Sequence, residues 1–376
     1  MRIAIVTERF PPSLGGIEVR YFEIARRLAR WGHEVHVYAI REGNQIPDKQ
    51  LKNMYVHRVI RIDRYLNERG TRAVGNVLKV TLATRRQLNK EVFDIYDFNQ
   101  FPYLPAIMTR KHPSIVTWLE AWRKQALRYG GGIMYVPIRI LEKMLTLAPD
   151  QHIAISELTR NRLINGYDIP PEKIKVIPCG VNYNVFREKT KEKVFGRLCY
   201  IGRLSPHKHI EVIIDAYLML RKEYPEVELH IVAVPNEPCL SYYQRLTKNT
   251  QGVYLYSVDR TKAIEILKSS YLFLSASERE GFGMAALEAM ASGTVPVVAQ
   301  APLSATNEVV INNYTGLLIN STPHNFMSAV RYLLNDEDAW CKLSSNGREY
   351  SQKYDWDKIA KDTEHTYLQV VAGSKN

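Results

Sequence analysis

Apolar and polar positions along this chain switch repeatedly between a short continuous run and a helical period. Arg2 to Val6 is an apolar run of strand length, followed by a loop from Thr7 to Gly16 that holds Pro11-Pro12 and Gly15-Gly16. From Ile17 to Trp31 the apolar positions Ile17, Tyr21, Ile24, Ala25 and Leu28 recur at helical spacing, and Gly32 stands where a helix ends. Glu34 to Ile40 reads as the next strand, Ser114 to Trp118 as another, and Gln151 to Ile155 as a third before a helix capped by Ser156. The second half keeps the rhythm. Strands are expected at 198–201, 228–233, 253–256, 271–274, 295–298 and 317–319, with helices near 209–223, 261–269, 284–292, 324–334, 338–352 and 356–371. Strands alternating with helices of these lengths predict α/β architecture with parallel, doubly wound sheets. Gly130-Gly131-Gly132 reads as a loop, with no strand directly before it to suggest a phosphate site.

One stretch carries more chemistry than the rest, the run EREGFGMAALEAMASG from 278 to 293. Glu280 and Glu288 flank a Gly-Phe-Gly turn whose Gly281 and Gly283 let backbone N–H groups approach a ligand without a Cβ in the way. Met284 to Ala291 is rich in helix formers, so the turn opens a helix N-terminus suited to anionic or hydroxyl-rich ligands. Glu280 is expected in the loop and Glu288 one to two turns into the helix, both lining one cleft. Upstream, Gly202-Arg-Leu-Ser-Pro-His-Lys208 joins an apolar strand to a helix. Arg203 and Lys208 can there reach one phosphate-sized anion, a planar fork beside a compact charge.

The chain has 376 residues, which favours two domains over one. Its hydrophobic content of 45% and charged content of 24% fit a soluble globular protein, and no apolar run is long enough to span a membrane. The N-terminus enters a strand at once, without a cleavable signal pattern, and Cys179, Cys199, Cys239 and Cys341 are scattered without CxxC spacing. Reduced thiols and a cytoplasmic location are the expectation. The net charge of +12 is uneven: residues 1–190 hold 31 Lys and Arg against 18 Asp and Glu, and residues 191–376 hold 20 against 21. The excess is densest from Arg58 to Lys90, including Arg61, Arg64, Arg69, Arg72, Lys79, Arg85 and Arg86. Such a face attracts anionic membranes or phosphate-bearing acceptors, with a plain solvated helix as the alternative. Nucleic acid is the competing partner, but no recognisable DNA or RNA module and no aromatic-interleaved basic stripe is present, so none is expected.

The 278–293 block resembles the Glu-x7-Glu signature of the retaining family-four glycosyltransferases, also called glycosyl transferases group 1. Ser277 before it and the Gly293 to Ala299 segment after it extend the likeness. The Gly-Arg-Leu followed by Lys208 matches the same family, as does Lys175 to Asn182, which resembles a linker between its two domains with Cys179 and Asn182 substituted. His209 stands where the family has glycine after the lysine. The resemblance implies the GT-B fold of two facing Rossmann-like, doubly wound domains. These are residues 1–187, binding the acceptor, and 188–354, binding the nucleotide sugar, with a C-terminal helix of about 355–373 returning to the first.

It further implies a retaining transfer from a UDP- or GDP-linked sugar to a hydroxyl acceptor that is lipid-linked or a glycan. Arg203 and Lys208 grip the donor diphosphate; Glu280 sits beside the sugar; the N–H groups of Gly281, Phe282, Gly283 and Met284 hold its hydroxyls; Glu288 takes the ribose. Gly16 approaches the donor phosphates, while Gly15, Gly16 and Glu120 face the acceptor. No cofactor and no metal is expected, Arg203, Lys208 and the helix N-terminus supplying the electrostatic stabilisation instead. Asp355-Trp356-Asp357 reads as a helix start, not a metal motif. Peripheral attachment to the inner face of the membrane follows from the basic half. One departure stands out: Leu119 occupies the position where relatives carry a histidine near the sugar. It keeps open the alternative of a non-catalytic nucleotide-sugar or glycan-binding protein of the same fold. Glu308 and Thr315-Gly316 match further family positions, Glu308 in a structural or helix-capping role.

Overall fold

The computed structural model describes residues 1–13, 15–42, 51–63, 74–109, 111–121, 135–188, 192–233 and 239–374. The chain divides into two compact units, Met1–Pro178 with Asp357–Asn376, and Cys179–Trp356. The division falls before the expected 187/188, because Val181 already belongs to the second unit. Its N–H donates to the carbonyl of Tyr354 at 2.9 Å, and its carbonyl accepts from Trp356 at 3.2 Å. Gly180 is required there: a Cβ would lie 2.7 Å from the buried indole of Trp356.

Among the described residues, the first unit holds a parallel sheet of β1 (Arg2–Val6), β2 (Glu34–Glu42), β3 (Met54–Ile62), β4 (Ile95–Asn99), β5 (Ser114–Trp118), β6 (Gln151–Ala154) and β7 (Ile174–Val176). Their spatial order is β3-β2-β1-β4-β5-β6-β7, so the winding reverses between β1 and β4. The helix Gly16–Arg30 fills the first crossover with the face the periodicity predicts: Tyr21, Ile24, Ala25 and Leu28 are buried. Gly32 ends it with φ +91°. Ser156 caps the helix Glu157–Tyr167 by accepting from Thr159 N.

The helix Trp356–Gly373 contributes its length beyond Trp356 to this first unit. Asp357 pairs with Arg27 at 2.5 Å, Glu364 with His33 at 2.5 Å, and the Tyr367 hydroxyl donates to Asp97 Oδ2 at 2.5 Å. Asp97, fully buried on β4, also accepts from Thr117 at 2.9 Å and Tyr21 at 3.4 Å. Burial pushes its proton affinity up, and the three hydroxyls and Arg20 pull it back part of the way.

The second unit holds β8 (Val194–Gly202), β9 (Glu228–Ala233), β10 (Val253–Ser257), β11 (Ser270–Ser275), β13 (Val295–Ala299) and β15 (Leu317–Ile319), parallel and ordered β10-β9-β8-β11-β13-β15. The reversal lies between β8 and β11. β11 and β13 are buried along their whole length, as their continuous apolar runs demand. A separate two-residue pairing joins β12 (Arg279–Glu280) to β14 (Leu303–Ser304). The expected loop at Glu280 is therefore a short strand, too brief for any periodicity to announce.

Candidate functional site

In open α/β sheets ligands bind beyond the carboxyl ends of the strands where the winding reverses. In the second unit that point is flanked by the segment after β8, which carries Arg203 and Lys208, and the segment after β11, which carries Glu280. The main chain ties the two together: Glu278 N donates to the His207 carbonyl at 2.9 Å. The Lys208 ammonium and the Glu280 carboxylate form a close ion pair, both side chains mostly sheltered. Glu280 is held from behind as well, its carbonyl accepting from Ala305 N at 2.9 Å.

His209 occupies the glycine position in a left-handed conformation, φ 48° and ψ 47°, and its ring faces Glu278 at 3.5 Å. Histidine tolerates that region better than most residues, so the substitution leaves the turn intact. His207 is the residue sequence reasoning missed. Its proton affinity falls to about 3 through burial first, then through the charges of Lys208, Arg279, His209 and Arg203. Four basic groups thus converge on one imidazole, a measure of how electropositive this corner is. Arg279 gave no signal in the sequence beyond being the residue before Glu280.

Gly283 caps the helix Met284–Ser292 with φ +105°, and a Cβ on it would stand 2.6 Å from Thr306 Oγ1. Only glycine fits there, Gly281 lies in the bend just before it, and the first-turn N–H groups of the helix have no intrahelical acceptors. The Phe282 ring is buried edge-on against Tyr354 at 5.7 Å, so its backbone is the part left for a ligand. Glu288 lies deeper in the helix and is already paired, with Arg260 Nη2 at 2.5 Å. Glu308 is the third residue of the short helix Thr306–Val309, its N–H on the Ala305 carbonyl. Thr315 is a buried turn residue whose hydroxyl accepts from Ile311 N, and Gly316 packs on the Pro296 carbonyl.

The first unit places Gly15, Gly16 and Glu120 at the carboxyl ends of its own strands. Gly15 precedes the helix that Gly16 begins, its carbonyl accepting from Val19 N at 3.1 Å. Leu119 and Glu120 follow β5, and both their N–H groups donate to the fully buried Gln100 Oε1, at 3.1 and 3.2 Å. Gln100 Nε2 donates in turn to buried Glu142 at 3.3 Å. The Leu119 carbonyl accepts a long bond, 3.4 Å, from the Thr159 hydroxyl. The loop at the missing histidine is therefore pinned by its backbone. Sequence gave no hint of Gln100.

The two acids around Trp356 have separate partners: Asp355 accepts from Tyr183 N at 3.2 Å, and Asp357 from Arg27. In the basic stretch, Arg58 is no surface charge, since its guanidinium binds the carbonyls of Ile40 and Pro11. Arg61 pairs with Asp63 at 3.2 Å. Arg64, Arg69, Arg72 and the glycines at 130–132 lie outside the described residues.

The family described as Glycosyl transferases group 1 matches residues 184–353, and that described as Glycosyltransferase Family 4 matches residues 14–185. The chain belongs to the group 1 glycosyltransferases. A D-inositol 3-phosphate glycosyltransferase of Thermobispora bispora is 24% identical, over 95% of this chain and 90% of its own. Sucrose-phosphate synthase of Thermosynechococcus elongatus shares the fold at a TM-score of 0.80 and 18% identity, over 99% of each chain. Anabaena HepE, solved in complex with UDP-glucose, does so at 0.76 and 17%, over 98% of this chain and 100% of that one. These neighbours are GT-B glycosyltransferases, and the two parallel-sheet Rossmann-like units described above are that fold.

Proposed function

We propose that the protein transfers a sugar from a UDP- or GDP-linked donor to a hydroxyl of a lipid-linked or glycan acceptor, with retention of configuration and without a metal. The observation that carries this is the Lys208–Glu280 pair, set among Arg203, Arg279 and His207 at the reversal point of the second sheet. A diphosphate entering there meets the fixed cations and the N–H groups at Gly283 and Met284. Lys208 then turns from Glu280 to the phosphate, and Glu280 is released to accept from sugar hydroxyls. As the bond from the anomeric carbon to the β-phosphate oxygen breaks, the negative charge grows where the cations already stand. The acceptor oxygen bonds to the same face of that carbon, and its proton passes to the departing phosphate.

Glu280 and Glu288 are each bound to a basic side chain, an arrangement that favours a diphosphate over a divalent ion at this place. The Arg260 pairing orients Glu288 for the ribose hydroxyls. Gly15, Gly16 and Glu120 are the acceptor's contacts in the first unit. HepE has been solved in complex with UDP-glucose, which supports a nucleotide sugar here.

The membrane-surface partner rests on two helices. Val74–Leu88 contains no acidic residue; its outward side carries Leu78 at 46% and Leu82 at 51% exposure among Lys79, Arg85 and Arg86. Tyr135–Leu145 exposes Arg139, Ile140, Lys143 and Met144, and Leu147 beyond it is 77% exposed. Both touch the helix Leu104–Thr109, and right-handed crossovers put all three on one side of the sheet. Leucines interleaved with cations suit an anionic lipid surface better than nucleic acid. No helix among the described residues is long and apolar enough to cross a membrane. We place the protein peripherally on the inner, cytoplasmic face.

Incubation with a panel of UDP- and GDP-sugars, read by release of free sugar and by proton NMR of the anomeric signal, tests the reaction. First-formed α-sugar from an α-donor is the expected result; β-sugar, or no release from any donor, would contradict it.

A further inference from the structure

A second cluster of chemistry lies in the first unit, at the opposite, amino ends of the strands. His36 is on β2, His57 on β3, and Glu91 in the segment leading to β4. One donor atom from each lies within 4.8 Å of the others. We propose that His36, His57 and Glu91 bind a divalent transition-metal ion of the Zn2+ class, which fastens β3, an outer strand of the sheet, to β2 and to the entry of β4.

The arrangement around the three residues points that way. His36 Nε2 meets Glu34 Oε1 at 2.9 Å, so that nitrogen carries the proton and Nδ1 presents its lone pair. A carboxylate behind the imidazole is the usual support of a metal-bound histidine. The same Glu34 oxygen is fixed by Arg2 Nε at 3.0 Å, and Arg2 Nη2 holds Glu91 Oε2 at 2.7 Å. His57 Nε2 faces His36 Nδ1 at 2.9 Å. Two Zn–N bonds of about 2.05 Å at a tetrahedral angle need roughly 3.4 Å between nitrogens, so a small opening admits the ion. Without it, the two rings share one proton, which binding moves to the other nitrogen of His57.

The independent observation is Tyr38. It is 1% exposed, and its hydroxyl has no hydrogen-bond partner among the described residues, an expensive state for a buried polar group. Its ring stacks on His57 at 4.6 Å, and the hydroxyl is near enough to Glu91 for that charge to act on it. A bound ion, or a water on it, satisfies this hydroxyl. Two imidazoles and a carboxylate suit Zn2+, Ni2+ or Cu2+ and disfavour Mg2+ and Ca2+. Phe93 and Tyr55 wall the site against His36 at 5.0 and 4.9 Å. Gly15, Gly16 and Glu120 lie at the other ends of the strands, so the ion is structural and stands apart from sugar transfer.

The test is calorimetric titration of chelator-stripped full-length protein with ZnCl2, with MgCl2 as control, paired with thermal melting. One Zn2+ per chain, a raised melting temperature, and binding weaker by at least about 10–100-fold in both His57→Ala and Glu91→Gln are expected, since loss of even a supporting residue costs that much. Tyr38→Phe should weaken binding less. Circular dichroism confirms that the variants fold, and the partly exposed Glu91→Gln keeps the test alive if His57→Ala does not. No stoichiometric uptake, or uptake unchanged in Glu91→Gln, overturns the proposal; the latter assigns the ion to other side chains.

Discussion

Lys208 and Glu280, 72 positions apart in sequence, close on each other as an ion pair at the reversal point of the second sheet. The pair keeps both charged groups ordered at the reversal point until a diphosphate draws Lys208 away and frees Glu280. Replacing Glu280 by Gln keeps the shape and removes the charge. Transfer or donor hydrolysis should fall by about 10²–10³-fold, the scale of one preorganised electrostatic group, while UDP or GDP affinity measured by calorimetry changes little. Loss of nucleotide binding with turnover intact would assign Glu280 the opposite role.

The cations around His207 make a pH prediction. Its proton affinity is lowered from the ordinary histidine value of 6.5 to about 3, and that of buried His152 to about 4. The unfolded chain binds those protons more readily in this window. The stability the two residues contribute is therefore whole above pH 6.5 and is lost as pH falls toward 4 and 3. Denaturation midpoints should drop on acidification, less so in His207→Gln. A diphosphate among the same cations raises the histidine's proton affinity, which opposes the loss of ligand charge as the terminal phosphate of UDP is protonated at about pH 6. UDP binding should therefore weaken less between pH 7 and pH 5 in the wild type than in His207→Gln.

Gly283→Ala places a Cβ against Thr306 at a backbone angle that side chains avoid. The expected cost is about 1–3 kcal/mol, with weaker nucleotide binding by calorimetry. Thr306→Ala in the same chain relieves the clash but not the angle, so it should restore only part.

Tyr367 fastens the last helix to Asp97 on β4. Tyr367→Phe should cost about 2 kcal/mol, as a buried bond to a charged acceptor is lost. Faster proteolysis within 356–373 would show it; unchanged protection would mean Arg27 and His33 hold the helix alone.

The exposed leucines give a surface prediction. Leu78→Ser with Leu82→Ser should reduce co-sedimentation with phosphatidylglycerol vesicles severalfold, and binding to phosphatidylcholine should be weak throughout. Equal binding by wild type and variant would remove the lipid-surface proposal and leave the sugar chemistry standing.

The elements of the second unit were legible because β11 and β13 are buried along their whole length and helices such as Pro323–Asn335 bury one face. The helix Val74–Leu88 was harder to read, since Leu78 and Leu82 face outward while Thr81 and Thr84 face inward. Arg203, Lys208 and Glu280 were visible as residue types in a glycine-rich setting. Their partners were not: Arg260 behind Glu288, Thr306 behind Gly283, and Gln100 behind Leu119 come from distant segments, and no local period encodes a contact made by folding. The two-residue β12 that seats Glu280 is likewise set by its pairing with β14. The unit division at 178 follows Gly180 and Val181 packing on Tyr354 and Trp356, a contact the charged stretch after Arg187 could not reveal.

Calorimetric titration of UDP and GDP into wild type, Arg203→Ala and Lys208→Ala tests the donor site most directly. Micromolar binding of one nucleotide by the wild type, weakened about tenfold or more by either substitution, is the expected result. Affinity unaltered in both variants would contradict a diphosphate held by these two cations.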